Sequence, residues 1–231
     1  MQRESLRPRA ARRYRERTHH AQGATITITI TGTVCGLRDW DTRDIASYTY
    51  WQAPHHTWHD TNGPYFGRPT PDAAHQQATR LATYVEVPPE RRPVPRESLA
   101  VVDPSDRMVG SVSWYWESRE TDWRRMGIVL FNPAARGRGI GTEALALWTT
   151  YLFATTAARR LDFATYSGNA AMCAVGRALG FVEEARFRDA RPWQGEVYDA
   201  VVYGVLRHDW QERGGGNGAR PVTGLAGGST G

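Results

Sequence analysis

The chain contains no lysine: all 29 of its Lys+Arg residues are arginine. That excludes chemistries built on a lysine amine, among them the P-loop phosphate lysine, a pyridoxal Schiff base and a protein-kinase fold. Cysteine is nearly absent too. Cys35 and Cys173 lie far apart and form no Cys-x-x-Cys, so neither a disulfide framework nor a zinc ribbon is signalled. No apolar run approaches the 18 residues of a membrane span, and the start lacks the apolar segment of a secretory leader. These absences predict a soluble, cytoplasmic protein with no membrane partner. The formal charge of +5 over 231 residues is equally uninformative about the body. Residues 1–17 hold seven Arg and two Glu, a surplus of 7 − 2 = 5, so the remainder sums to zero. A nucleic-acid partner loses its electrostatic support.

Three zones are present. Residues 1–23 form an Arg-rich arm, 24–212 a continuous globular pattern, and 213–231 a Gly-rich tail with too little apolar surface for a core. Within the body, strict Thr/Ile alternation over 25–37 predicts one strand. Asp41 is the expected cap of a helix near 42–52, and Thr70-Pro71-Asp72 marks the start of another reaching Val85. Strands follow at 98–103, 108–116 and 124–131. An apolar helix comes after a Gly-rich loop, then a strand over 160–166, a helix over 170–179, and a strand pair around Gln194-Gly195. Hairpins first and crossovers later predict an α/β fold with a mixed sheet.

The Gly-rich loop carries the functional signal. Gly137, Gly139 and Gly141 stand between an apolar strand and an apolar helix, where glycines let backbone amides curl around a ligand. The helix N-terminus adds unpaired N–H groups and a positive dipole, and Arg136 and Arg138 add guanidinium forks; all favour phosphate. One reading is a dinucleotide fingerprint over Gly139, Gly141 and Ala144, with Asp162 as the ribose acid. Its context is poor. Seven residues separate Phe131 from Gly139, and hairpin strands precede the motif instead of parallel crossover units.

The stretch Arg-Gly-Arg-Gly-Ile-Gly (136–141) is similar to the acetyl-CoA pyrophosphate motif of the GNAT superfamily of N-acetyltransferases. Leu37-Arg38, Asp44, the segment 109–114, Asn169 and Leu179-Gly180-Phe181 resemble further family segments in the family's order. Asp199 and 206–210 resemble the closing strand of the ribosomal-protein-alanine (RimJ/RimL-like) branch. The resemblance implies a GNAT fold: a mixed, mostly antiparallel sheet of about seven strands flanked by about four helices. It implies acetyl-CoA as co-substrate and a primary amine as acceptor, on a small molecule or a protein N-terminus, by direct transfer in a ternary complex. It also implies that backbone amides of Ile128, Val129 and Leu130 hold the pantetheine and thioester. The pyrophosphate would lie on Arg136, Gly137, Arg138, Gly139, Ile140, Gly141 and Thr142, with Asn169 and Arg177 as further cofactor contacts.

At the family's catalytic positions the chain departs from the pattern. Arg125 stands where a Glu base is common, and Met172 and Gly176 where a Ser or Tyr acid is common. Glu117, Glu120 or Asp122 is then the candidate base, and Cys173 or Tyr166 the candidate acid. The acceptor region is expected in 51–69, an aromatic and His-rich stretch with Trp51, His55, Trp58 and His59, joined by Trp114 and Trp116 on the hairpin. His55 and His59, with His56 and Asp60, would suit zinc only on a helix; Pro54 and Gly63 cut that helix short, so no metal is expected. Two other classes stay open: a non-catalytic acyl-CoA-binding module and a dinucleotide oxidoreductase. Either a monomer or a homodimer fits the sequence.

Overall fold

The structure, a computed structural model, describes residues 27–215. The arm expected over 1–23 and residues 216–231 of the tail expected over 213–231 lie outside the described residues. Eight strands form one sheet: β1 Thr29–Thr31, β2 Gly36–Arg38, β3 Ser98–Val102, β4 Met108–Ser118, β5 Trp123–Leu130, β6 Arg160–Tyr166, β7 Val182–Trp193 and β8 Glu196–Leu206. Five helices accompany them: α1 Asp44–Gln52, α2 Pro71–Glu86, α3 Ile140–Thr155, α4 Ala170–Ala178 and α5 Arg207–Glu212. The spatial order is β1-β2-β3-β4-β5-β6-β8-β7, antiparallel except between β5 and β6. Among the described residues no helix is long and apolar enough to cross a membrane.

Most elements fall where the sequence predicts, and three differ for identifiable reasons. The single strand expected over 25–37 divides into β1 and β2, which raises the sheet to eight strands. A turn breaks it: Gly32 donates its N–H to the Cys35 carbonyl at 2.9 Å. The amides of Thr33, Val34 and Cys35 all donate to the Glu143 carboxylate, at 2.6, 2.6 and 2.8 Å. A partner more than a hundred residues away thus replaces the ladder that local alternation favours.

Asp41 does not cap α1, whose preceding residue is Arg43. The Asp41 carboxylate instead takes the Arg43 amide at 2.9 Å, and its carbonyl takes the Asp44 amide at 3.1 Å. The third difference is at 206–210, where β8 stops at Leu206 and Arg207 opens α5. The Arg207 guanidinium reaches the carbonyls of Ala158 and Thr156, at 2.8 and 2.9 Å, and so fixes the chain to the end of α3. Thr70 caps α2 as expected, accepting from the Ala73 amide at 3.2 Å ahead of Pro71.

The sheet has two buried faces. Leu99, Val101 and Val112 join Leu145, Trp148 and Leu152 of α3 in the larger core. Ala100, Val102 and Phe131, on the other face, join Trp58 and Leu81 under α1 and α2. Period-two alternation along β3 divides these residues between the faces. Each fully buried leucine contributes about 1.5–3 kcal/mol through area removed from water. The Pro- and Arg-rich residues 86–96, between α2 and β3, hold a buried charge. Arg96, 1% exposed, donates to both carboxylate oxygens of Asp39 at 2.7 and 3.2 Å. Its fork also reaches the carbonyls of Pro89 and Arg92.

Candidate active site

Strands β5 and β6 share only two register pairs, Arg124 with Leu161 and Arg125 with Asp162. Beyond these rungs they diverge. The β6-facing side of residues 126–130 is left without a strand partner, while β4 still pairs along the other side. A groove of about 470 Å³ opens there, bounded by β5, the Gly-rich loop and α4. Ile128, Leu130, Met172 and Val175 give it an apolar wall.

At the groove's end the chain turns into α3. Gly137 and Gly139 adopt left-handed φ values of +71° and +80°, which β-carbon sterics make costly for other residues. A β-carbon on Gly137 would meet nothing within 4 Å, so the loop backbone is open to the groove. The first backbone bond of α3 runs from the Glu143 amide to the Gly139 carbonyl at 3.0 Å. The amides of the first turn therefore remain available to an anion, with the dipole of a 16-residue helix behind them.

Of the residues expected on the cofactor, nine line this groove: Ile128, Val129, Leu130, Arg136, Gly137, Gly139, Gly141, Thr142 and Asn169. Asn169 also caps α4, its side-chain oxygen accepting from the Met172 amide at 3.1 Å. Its side-chain nitrogen donates to the Thr61 carbonyl at the same distance, joining the groove wall to the 51–69 segment. Three expected residues are elsewhere. Ile140 is buried in the core under α3, and Arg138 is exposed on the loop outside the groove lining. Arg177 turns to the sheet, its guanidinium on the Tyr203 hydroxyl at 3.3 Å. The residues present fit an acyl-CoA: open amides and guanidinium for phosphate, an apolar channel for the pantetheine chain, and unpaired strand amides at its inner end.

A second cleft, of about 210 Å³, shares Ile128 and Val129 with the groove and opens on the α1/α2 face. Tyr48 and Gln52 border it from α1, Gln77 from α2, and Ser111 and Ser113 from β4. Trp58 and Asn62 complete the rim. The sequence reading missed all of these but Trp58. The signal was present in Gly-Ser-Val-Ser (110–113), where small polar side chains alternate with Val112, itself buried in the opposite core.

Parity along β4 separates two acceptor candidates from this cleft. Trp114 and Trp116 occupy the face opposite Ser111 and Ser113. The Trp114 indole donates to the Arg96 carbonyl at 2.8 Å, and the Arg124 guanidinium lies 4.8 and 4.2 Å from the two rings. Neither lines the cleft. Trp51 is half-buried and accepts the Trp58 indole N–H on its carbonyl at 2.6 Å. His59 is buried with Nε2 3.2 Å from the Ala53 carbonyl, and burial holds its imidazole below the usual range. His55 is exposed and its ring lies tilted against that of His56, centroids 4.0 Å apart. Among the described residues no cluster of three His, Cys, Asp or Glu side chains is placed to hold a metal ion.

None of the acid and base candidates lines the groove or the cleft. Glu117 is four residues beyond Ser113, about 13 Å along the strand, and its carboxylate pairs with Arg125 at 2.8 Å. Glu120 is exposed at the hairpin tip on the Ser118 hydroxyl, and Asp122 pairs there with Arg124. Cys173 faces the core, its thiol donating to the Tyr166 carbonyl at 3.8 Å; burial pushes the thiol's pKa up. The Tyr166 ring is enclosed by Tyr65 and Tyr198, and burial raises its hydroxyl as well. Asp162, the ribose acid of the dinucleotide reading, is fully buried and engaged by Arg125, Arg160 and the Trp123 indole. It is not available to a ribose, and that reading falls.

The Acetyltransferase (GNAT) domain model matches residues 35–182. The chain belongs to the GNAT acetyltransferase family. Within this family it is similar to the "Putative ribosomal N-acetyltransferase YdaF" of Bacillus subtilis, 33% identical over 75 residues. That stretch is 32% of this chain and 41% of YdaF, so less than half of the relative's length is matched. A GNAT-family acetyltransferase from Bacillus anthracis shares the fold with TM-score 0.61 at 16% identity, over 78% of this chain and 99% of that one. Spermidine N-acetyltransferase from Vibrio cholerae, solved with CoA and spermine, gives TM-score 0.60 at 13% identity, over 77% and 98%. The GNAT resemblance read from the glycine loop is thus confirmed at the level of family and fold.

Proposed function

We propose that this chain is an acyltransferase that moves the acetyl group of acetyl-CoA to a primary amine in a ternary complex. The observation that carries this is the divergence of β5 from β6, which presents unpartnered strand amides between the groove and the cleft. In this reading the groove takes acetyl-CoA, with Arg136, Gly137, Gly139 and the first turn of α3 around the pyrophosphate. The amides of residues 128–130 hold the acyl end, and one of them stabilises the oxygen that gains charge during attack. The acceptor nitrogen enters from the cleft, its lone pair forms the C–N bond, and the C–S bond breaks. The nitrogen loses a proton and the sulfur gains one, leaving an amide and free CoA.

Similarity to the "Putative ribosomal N-acetyltransferase YdaF" supports the RimJ/RimL-like assignment and a protein N-terminus as one acceptor. The absence of an apolar spanning helix among the described residues agrees with action in the cytoplasm, as a monomer or a homodimer. One observation favours a second reading, a non-catalytic acyl-CoA-binding module: no carboxylate, imidazole or thiol lines groove or cleft among the described residues. Thermal unfolding with acetyl-CoA, CoA and NADH in parallel, followed by thiol release in the presence of amines, separates them. A midpoint shift with acetyl-CoA and not NADH, together with amine-dependent thiol release, is the expected result. A shift without release selects the binding module, and no shift defeats both.

A further inference from the structure

Every described residue bordering the proposed acceptor cleft is uncharged. Gln52, Asn62, Gln77, Ser111 and Ser113 offer amide and hydroxyl groups, and Tyr48, Trp58 and Phe131 supply the aromatic wall. The carboxylates on the elements that build the cleft are engaged or remote. Asp44 of α1 is held by Arg38 at 2.7 and 2.9 Å, and Asp60, beside Trp58, by Arg68 at 2.6 and 2.7 Å. Glu117 and Asp162 are both held by Arg125. The acids of α2, Asp72 and Glu86, stand at its two ends, away from Gln77 at mid-helix.

Two physical consequences follow. A polyamine brings several ammonium groups, and an ammonium leaving water without a carboxylate partner is strongly disfavoured. The acceptor nitrogen must also be unprotonated to attack, and no side chain in the cleft is suited to take its proton. It must arrive neutral from solution. At pH 7 an α-amine of pKa near 7.8 is neutral on the order of 10²-fold more often than an alkyl amine of pKa near 10.4.

We infer that the acceptor is a primary amine of low basicity on an uncharged polar body, of the kind presented by the α-amino group of a neutral amino-acid amide or peptide, and that polycationic amines are excluded. The inference rests on the acetyl-transfer reading above. Polar amide atoms of such an acceptor would meet Gln52, Gln77 and the two serines, while its small side chain meets the aromatic wall.

The test is a set of kcat/KM values from thiol release at pH 7, with serine amide, a neutral tetrapeptide beginning with serine, and spermine. Binding of acetyl-CoA alone is measured on the same preparation by calorimetry. The expected result is that serine amide or the tetrapeptide exceeds spermine by about 100-fold. Preference for the amide would mark a small-molecule acceptor, and preference for the peptide a protein end. Gln77→Glu, at an exposed position on α2, is expected to raise kcat/KM for spermine by about two- to fivefold, the effect of one added exposed charge pair. Spermine turned over as well as the neutral amines would overturn the inference and leave the acetyl-transfer reading standing. Acetyl-CoA binding with no thiol release from any of the three would also overturn it, in favour of the binding module. Failure to bind acetyl-CoA would overturn both.

Discussion

Arg125 donates from Nε to Asp162 Oδ1 at 2.8 Å, on the last rung where β5 and β6 still pair. The ion pair therefore sits at the apex of the opening that becomes the groove beside the Gly-rich loop. Asp162 is fully buried, so removing the guanidinium would leave its charge with only Arg160 at 3.3 Å and the Trp123 indole. Arg125→Met should destabilise the fold by about 3 kcal/mol, and Arg125→Met with Asp162→Leu by less, because the second change removes the under-compensated charge. Denaturant unfolding of the single and double variants checks this. Equal loss in both would mean that shape, not charge, matters at the apex.

Gly139 holds φ at +80°, and a β-carbon there would come no nearer than 3.9 Å to a neighbour, Val34. Space is available, so the cost of Gly139→Ala is backbone strain of about 1–2 kcal/mol. The methyl would still stand on the loop proposed to meet the pyrophosphate. Calorimetry should show acetyl-CoA affinity reduced about tenfold or more, beyond the change in stability. Unchanged affinity would place the phosphates elsewhere.

Glu143 accepts three amides from the β1–β2 turn. Burial pulls its carboxyl up, but the Thr33, Val34 and Cys35 amides together outweigh that and hold it below the ordinary carboxylate range. A depressed folded-state value means its contribution is complete above the unfolded value near 4.3 and is lost as pH falls through the folded one. Glu143→Gln should lower stability at pH 7 by about 1.5–3 kcal/mol, and the gap from wild type should narrow below about pH 4. Thermal midpoints of the two proteins at pH 7 and pH 3 decide it; a gap that stays constant would refute the charge-based account.

Local pattern made much of the fold legible. The Thr70-Pro71 cap, the Gln194-Gly195 hairpin and the apolar run of α3 are determined within a few residues, by backbone sterics and side-chain periodicity. The glycine loop was equally legible, since left-handed φ at 137 and 139 strongly favours glycine wherever the rest of the chain goes. Long-range partners overrode local preference elsewhere. Glu143 cut the first strand in two, and Arg207 turned an expected strand end into a helix. Buried Arg96 gave structural weight to a segment that composition marks as loop.

The catalytic and acceptor residues were the least legible part. Glu117, Asp122, Cys173 and Tyr166 have the right chemistry by type, but type says nothing about direction. Placement depends on which face of β4 and α4 points to the core, and on which arginine claims which carboxylate. By itself the sequence determined the family, the order of elements and the glycine loop ahead of α3, because these rest on contiguous residues. Only the tertiary structure decided that the cleft is walled by neutral groups. That outcome depends on strand parity and on ion pairs such as Arg125 with Asp162, whose members are distant in the chain.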